Sequence, residues 1–354
     1  MTYWSNTTNI YHLTAKPLIF SLPPEGAHKV AELTLSIPLL WNAFRLTNGT
    51  GNDKLKTHVA GLDLPTPIGM AAGFDKDCNV LRSLLNLGFG FVTGGTITLA
   101  SRPGNPKPRV IRLPNEKALI NSMGFPGRGL EPAIKRLQRS QRLKKRIFVS
   151  IAGTIEDEIF DCFYQVQSLA AGVELNISSP NTAGLRIFHE TGRLRGLIEG
   201  LAANKTVPLF VKLPPWSRGD DDRREILKLA ETAIDAGVDG LIVANTRPIE
   251  SNRLKVGRGG LSGEPLFENT ELMIADVQAM THGKIGIIAC GGISTSAQVW
   301  KLLASGASAV QLYTSFIYEG PGLPARLNKG LAKLMDAAGI AAINEISGAP
   351  PNIK

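Results

Sequence analysis

Cysteine is nearly absent. Cys78, Cys162 and Cys290 are the whole complement in 354 residues. Few, odd in number and far apart, they argue against a disulfide framework or a zinc site and for a reducing compartment. No run approaches the roughly 18 uncharged apolar residues that a membrane-spanning helix requires. The first residues lack a charged stretch followed by an apolar run, so no secretory signal is expected. Residues 1–24 contain no acid but also no arginine, which leaves little to support a transit peptide. The sequon Asn6-Thr7-Thr8 is a chance-level match. Histidine is sparse too. None of His12, His28, His58, His189 and His282 follows a strand-like run, so serine hydrolysis through a histidine is not expected. There is no internal repeat and no low-complexity tract.

What is present is a core. A hydrophobic share of 43% and a charged share of 19% suit a globular chain. The formal charge of +9 favours anionic partners such as phosphates and carboxylates. Lys135, Arg136, Arg139, Arg142, Lys144, Lys145 and Arg146 form a basic run. No aromatic residue interleaves with them, so they fit a solvated helix face, and no nucleic-acid partner is expected.

From about residue 67, short apolar runs alternate with amphipathic helical stretches. The runs are Pro67–Ala71, Phe89–Thr93, Ile147–Ile151, Val173–Ile177, Leu209–Leu213, Gly240–Ala244, Ile285–Ala289 and Ala309–Tyr313. Their lack of polar alternation predicts parallel strands buried on both faces. Helical periodicity predicts helices over Arg223–Ala236 and Ser294–Ala304, with Gly237 and Gly306 as C-cap glycines. Eight strands alternating with helices predict an α/β fold, a (β/α)8 TIM barrel. A doubly wound sheet is the competing architecture. It should carry Gly-x-Gly-x-x-Gly after the first strand, and Ala71-Ala72-Gly73-Phe74-Asp75-Lys76 does not fit that pattern. Residues 1–50 read as a small helical extension, with a helix over Glu25–Ser36, joined to the barrel by the polar loop Thr47–Asp53. The division expected is 1–50 extension, 51–345 barrel and 346–354 tail.

In such barrels the site lies at the C-terminal ends of the strands. There, Gly291-Gly292-Ile293-Ser294 and Tyr313-Thr314-Ser315 supply close backbone N–H groups at helix starts, which suits a phosphate. Lys212 ends a strand, where an ammonium calls for a facing anion; Lys76, beside Asp75, reads either as a second such lysine or as a surface ion pair. Asn121 in the long loop after strand two, with Asn176, Asn181 and Asn245, offers paired donors and acceptors for a planar ring. Singly, each asparagine is equally well explained by a cap or a turn. Ser179, between Ser178 and Pro180, is either a turn serine or an unusual base.

Taken together, Ala71-Ala72-Gly73-Phe74-Asp75-Lys76, Asn121-Ser122-Met123-Gly124-Phe125, Asn176-Ile177-Ser178-Ser179-Pro180-Asn181-Thr182, Gly260-Leu261-Ser262-Gly263 and Gly291-Gly292-Ile293 resemble the dihydroorotate dehydrogenase family, its class 2, quinone-dependent members in particular. The resemblance runs from about Lys16 to the last helix. It implies FMN across the barrel mouth, contacted by Ala72, Gly73, Phe74, Asp75, Lys76, Thr96, Ser150, Asn176, Lys212, Ala244, Gly263, Gly292, Tyr313 and Thr314. It places dihydroorotate among Lys76, Asn121, Ser122, Met123, Gly124, Phe125, Asn176, Asn181, Asn245 and Thr246. Ser179 matches the catalytic base, where class 1 members place cysteine. The implied reaction removes the C5 proton to Ser179 and the C6 hydride to flavin N5, in pyrimidine biosynthesis, with a quinone as acceptor. His28 and Arg112 would face that quinone. The resemblance also implies a peripheral membrane contact through the extension, on the cytoplasmic side of the cell membrane or, in a eukaryote, at the mitochondrial inner membrane. A monomer is expected. Two departures stand out: Ser150 occupies a position where the family usually has asparagine, and Ala244 one that is often threonine. Competing readings keep the substrate with fumarate or NAD as acceptor, or make the chain a non-catalytic flavin-binding barrel.

Overall fold

The structure, a computed structural model, describes residues 11–42, 44, 50–179, 182, 184–216 and 219–346. Two short strands, β1 (Thr57–Val59) and β2 (Leu62–Leu64), form an antiparallel hairpin. The chain then enters β3 (Ile68–Asp75) and β4 (Phe91–Ile97), makes an excursion through β5 (Val110–Leu113) and β6 (Ala118–Asn121), and continues with β7 (Ile147–Ile151), β8 (Gly172–Asn176), β9 (Leu209–Lys212) and β10 (Gly240–Val243). A second excursion carries β11 (Arg247–Glu250) and β12 (Arg258–Gly263), before β13 (Gly286–Cys290) and β14 (Ala309–Leu312). Strands β3, β4, β7, β8, β9, β10, β13 and β14 pair in parallel and close into a barrel. Each of the eight apolar runs in the sequence lies on one of them. β4, β7, β8, β9, β10 and β14 are buried at every residue, because helices cover them outside and side chains fill them inside.

The floor of the barrel is plugged. Val59 and Leu64 from the hairpin pack on Phe91, Phe148, Phe210, Ile242 and Ile288, an apolar layer separate from the main core. The helix expected over Arg223–Ala236 is observed at Asp220–Asp235, and that over Ser294–Ala304 at Ser296–Ala304, opened by a capping box between Thr295 and Gln298. Gly237 and Gly306 follow these helices with φ of 101° and 109°, a backbone that needs glycine.

One expectation needs correction. The segment carrying Asn121 is not a loop: β5 and β6 join β11 and β12 in a four-stranded antiparallel sheet of order β11-β12-β6-β5. These strands are partly exposed, and β12 contains Gly259-Gly260, which reads as turn punctuation. The glycine is instead required by crowding, since a Cβ at Gly259 would press on the Asn121 carbonyl and on Leu254.

The extension is helical: α1 (Lys16–Ser21), α2 (Pro24–Leu35) and α3 (Pro38–Asn42). Pro24 opens α2 at its first position, with Glu25 in the first turn, where a missing N–H and a negative charge both suit a helix start. The linker expected over Thr47–Asp53 lies partly outside the described residues.

Candidate active site

Above the floor, the strand ends, the four-stranded sheet and the extension enclose one cavity of about 490 Å³. Its polar end is built from strand termini. Asn176 at the end of β8 donates through Nδ2 to Thr96 Oγ1 on β4 (3.2 Å), and that hydroxyl meets Ser150 Oγ on β7 at 2.9 Å. Asn245, just past β10, donates to Ser178 Oγ at 2.9 Å and lies 3.4 Å from Asn176 Oδ1. One relay therefore ties four strand ends and fixes which amide atoms face the cavity.

Of the residues named from the sequence, Ala72, Gly73, Phe74, Lys76, Thr96, Asn176, Ser179, Lys212, Ala244, Gly263, Gly292, Tyr313 and Thr314 line the cavity. So do Asn121, Met123, Gly124, Phe125, Asn245, Thr246, His28 and Arg112. Three others stand behind the wall. Asp75 is 1% exposed and accepts from the N–H groups of Asn79 (2.7 Å) and Val80 (2.8 Å), holding the turn that aims Lys76. Ser150 is wholly buried and reaches the cavity only through Thr96. Ser122 is buried as well, and its N–H donates to the Arg109 carbonyl. Asn181 lies outside the described residues.

The far end suits a phosphate. Gly263 and Gly292 have φ of 107° and 75°; a Cβ would collide with the Lys117 carbonyl at the first and with the Phe267 backbone at the second. Glycine there keeps both the turn and the space, leaving backbone N–H groups exposed to a ligand. Thr314 Oγ1 donates to Ser262 Oγ (2.8 Å), joining β12 to the start of helix Thr314–Glu319. Tyr313, its phenol pushed up to about 12 by burial, donates to the Gly73 carbonyl. A cradle bounded by glycines, a buried lysine and an amide-lined pocket fits a flat, phosphate-bearing cofactor.

Sequence reasoning missed several groups. Glu174 and Gln311 are buried inside the barrel near Lys212; the signal was a polar residue in the middle of a buried strand run, Glu174 two positions before Asn176 and Gln311 alone in its run. Arg109 is another. Its guanidinium grips Glu25 Oε1 on α2 at 2.7 and 3.1 Å and also donates to the Pro103 and Asn105 carbonyls. Asn105 in turn binds the Met123 and Ser122 carbonyls, so one arginine joins the extension to the loop over the polar pocket. Burial would raise the Glu25 carboxyl, but Arg109 holds it below the ordinary range. Arg112 donates to the Phe20 and Leu22 carbonyls and stacks on the Phe20 ring at 4.6 Å, capping α1 as well as facing the cavity.

His28 packs edge-on against Phe74, with ring centroids 5.1 Å apart. Burial, aided by the Lys76 charge, pushes it down to about 3, so it is neutral at pH 7. The unfolded chain takes up this proton near the ordinary histidine value of 6.5, and the fold resists until about 3. His28 therefore withdraws stability as pH falls below 6.5, by at most about 1.4 kcal/mol per unit. Asp75, raised to about 6 chiefly by burial, acts in the opposite direction and stabilises the fold as pH falls through that value. A comparison of variants isolates the histidine: the melting temperature of His28→Phe should fall less between pH 7.5 and 5 than that of the wild type. Equal losses would remove the assignment.

The chain matches the family model described as dihydroorotate dehydrogenase over residues 54–335. It is 36% identical to the dihydroorotate dehydrogenase (quinone) of Chelativorans sp., covering 94% of each chain. The enzyme of the same name from Sphingopyxis alaskensis is 35% identical, with 99% of both covered. Among solved structures, the DHODH of Eimeria tenella in complex with ferulenol superposes with a TM-score of 0.81 at 32% identity, over 94% of this chain and 98% of that one. On the fold, the strand-end pocket and these matches, the chain belongs to the dihydroorotate dehydrogenase family.

Proposed function

We propose that this chain oxidises dihydroorotate to orotate and passes the electrons to a quinone, using FMN held across the barrel mouth. One observation carries the reading. A single cavity joins the asparagine-lined strand ends to a partly apolar passage under the extension, past Tyr11, Ile19, Leu35 and Trp41. A polar reactant and an apolar oxidant thus have adjoining places.

FMN, when bound, supplies the hydride acceptor. The chain does the rest. Asn121, Asn176 and Asn245 orient the pyrimidine: the relay fixes the amides of Asn176 and Asn245, and Asn121 donates to the Gly260 carbonyl at 3.4 Å. Lys76 supplies positive charge for the substrate carboxylate, and Lys212 supplies it on the cofactor side. Ser179 takes the C5 proton. A hydroxyl is a weak base, so closeness and exclusion of water must supply what basicity does not.

The outer surface of the extension supports peripheral attachment. Leu18 is 72% exposed and Leu39 79%, with Leu13, Leu33 and Leu40 also outward. No helix among the described residues is long and apolar enough to cross a membrane. Helices with an apolar face bind an interface without spanning it. Adding dihydroorotate without oxygen tests the central claim: the yellow absorption of the bound flavin should bleach within one turnover. A chain that stays yellow is a binder, and the reading fails.

A further inference from the structure

Beneath the proposed cofactor pocket the barrel interior holds a charged group that the reaction does not call for. Glu174 projects from β8 and is fully buried, one layer below Asn176. Its Oε1 lies 3.6 Å from Lys212 Nζ, close enough to pair but too long for a hydrogen bond, and no other described group hydrogen-bonds that oxygen. Its Oε2 receives a 3.4 Å contact from Gln311 Nε2, which also donates to Thr93 Oγ1 at 3.1 Å. Cys290, on β13, is a further neighbour of the lysine. Burial presses the Lys212 ammonium down, and the Glu174 carboxylate beside it opposes this. Burial also pushes up the Cys290 thiol, leaving it uncharged near neutrality, so the carboxylate carries the attraction.

A buried carboxylate is costly to keep without a purpose or a full set of partners. This one is held by Gln311 and leaves the N–H groups of the lysine available to the cavity. We propose that Glu174 is a positioning residue that offsets the Lys212 charge and thereby sets the reduction potential of the flavin, holding it lower than the lysine alone would. The inference rests on FMN occupying the pocket. Reduced flavin carries the extra negative charge, so an uncompensated ammonium beside it favours reduction, and a carboxylate behind the ammonium opposes it.

The test is the midpoint potential of the bound flavin, by dye equilibration, in wild type, Glu174→Gln and Glu174→Asp. In Glu174→Gln, reduced FMN should gain about tenfold in affinity relative to oxidised FMN, a rise of about 30 mV for a two-electron couple. The affinity of the oxidised flavin for sulfite, whose adduct is anionic, should rise in parallel. Glu174→Asp keeps the charge and should stay near the wild type. Should Glu174→Gln not fold, Glu174→Ala removes the same charge and is read in the same way. An unmoved potential in a yellow Gln or Ala variant overturns the proposal while leaving the FMN reading intact. Failure of both to fold makes the carboxylate structural and overturns it as well. A wild-type chain that takes up no FMN defeats the FMN reading itself, and this inference with it.

Discussion

Ser179→Ala should slow the bleaching of flavin by dihydroorotate by about 10²–10⁴-fold, the usual contribution of a positioned acid or base, while the yellow spectrum of the oxidised protein stays nearly unchanged. The separation follows from where the residue stands. Ser179 lines the cavity, and the strand ends are tied to one another by bonds among Asn176, Thr96, Ser150, Ser178 and Asn245. Removing one hydroxyl should therefore leave the walls in place. Rapid mixing under anaerobic conditions, monitored at the flavin band, reads the effect directly. An alanine variant that bleaches at the wild-type rate would show that some other group takes the proton.

Deleting residues 1–45 should lower quinone-supported turnover by roughly two orders of magnitude or more, because the oxidant loses its held position and must react from solution. The reductive half-reaction should survive, since the barrel, its floor and its strand-end relay lie outside the deleted segment. Ubiquinone, menaquinone, fumarate and NAD, compared with and without the extension, separate the acceptors. Undiminished quinone turnover in the shortened chain would place the quinone elsewhere, and activity with fumarate or NAD alone would restore the soluble-acceptor reading. The loss should not be purely local. Glu25 leaves with the extension, and Arg109 then lacks the carboxylate that holds its guanidinium against the Pro103–Asn105 loop. The Michaelis constant for dihydroorotate should therefore rise too.

Much of this was legible in the chain itself. Eight barrel strands announced themselves because parallel strands buried on both faces are predominantly apolar runs without strict polar alternation. The site was legible because residues at the ends of those runs must converge once a barrel closes. The second sheet was hidden for the opposite reason. Its strands are partly exposed, lie over the mouth and include glycines demanded by packing, not by turning. Partnerships across the fold were also invisible. Nothing in the string links Glu25 to Arg109 or Glu174 to Lys212, because each pair is made by topology alone. Ser150 illustrates a finer limit. Its identity raised the question of a weakened cofactor contact, but only the structure shows it shielded behind Thr96.

The plug formed by Val59 and Leu64 has a consequence for how the molecule must be approached. With one end of the cylinder sealed by hydrocarbon, the cavity lies at the other end, the end that carries the greasy helices. A molecule resting on a bilayer would turn its working end to the lipid and its stopper to the water. Fusion partners and surface tethers belong on the stoppered side.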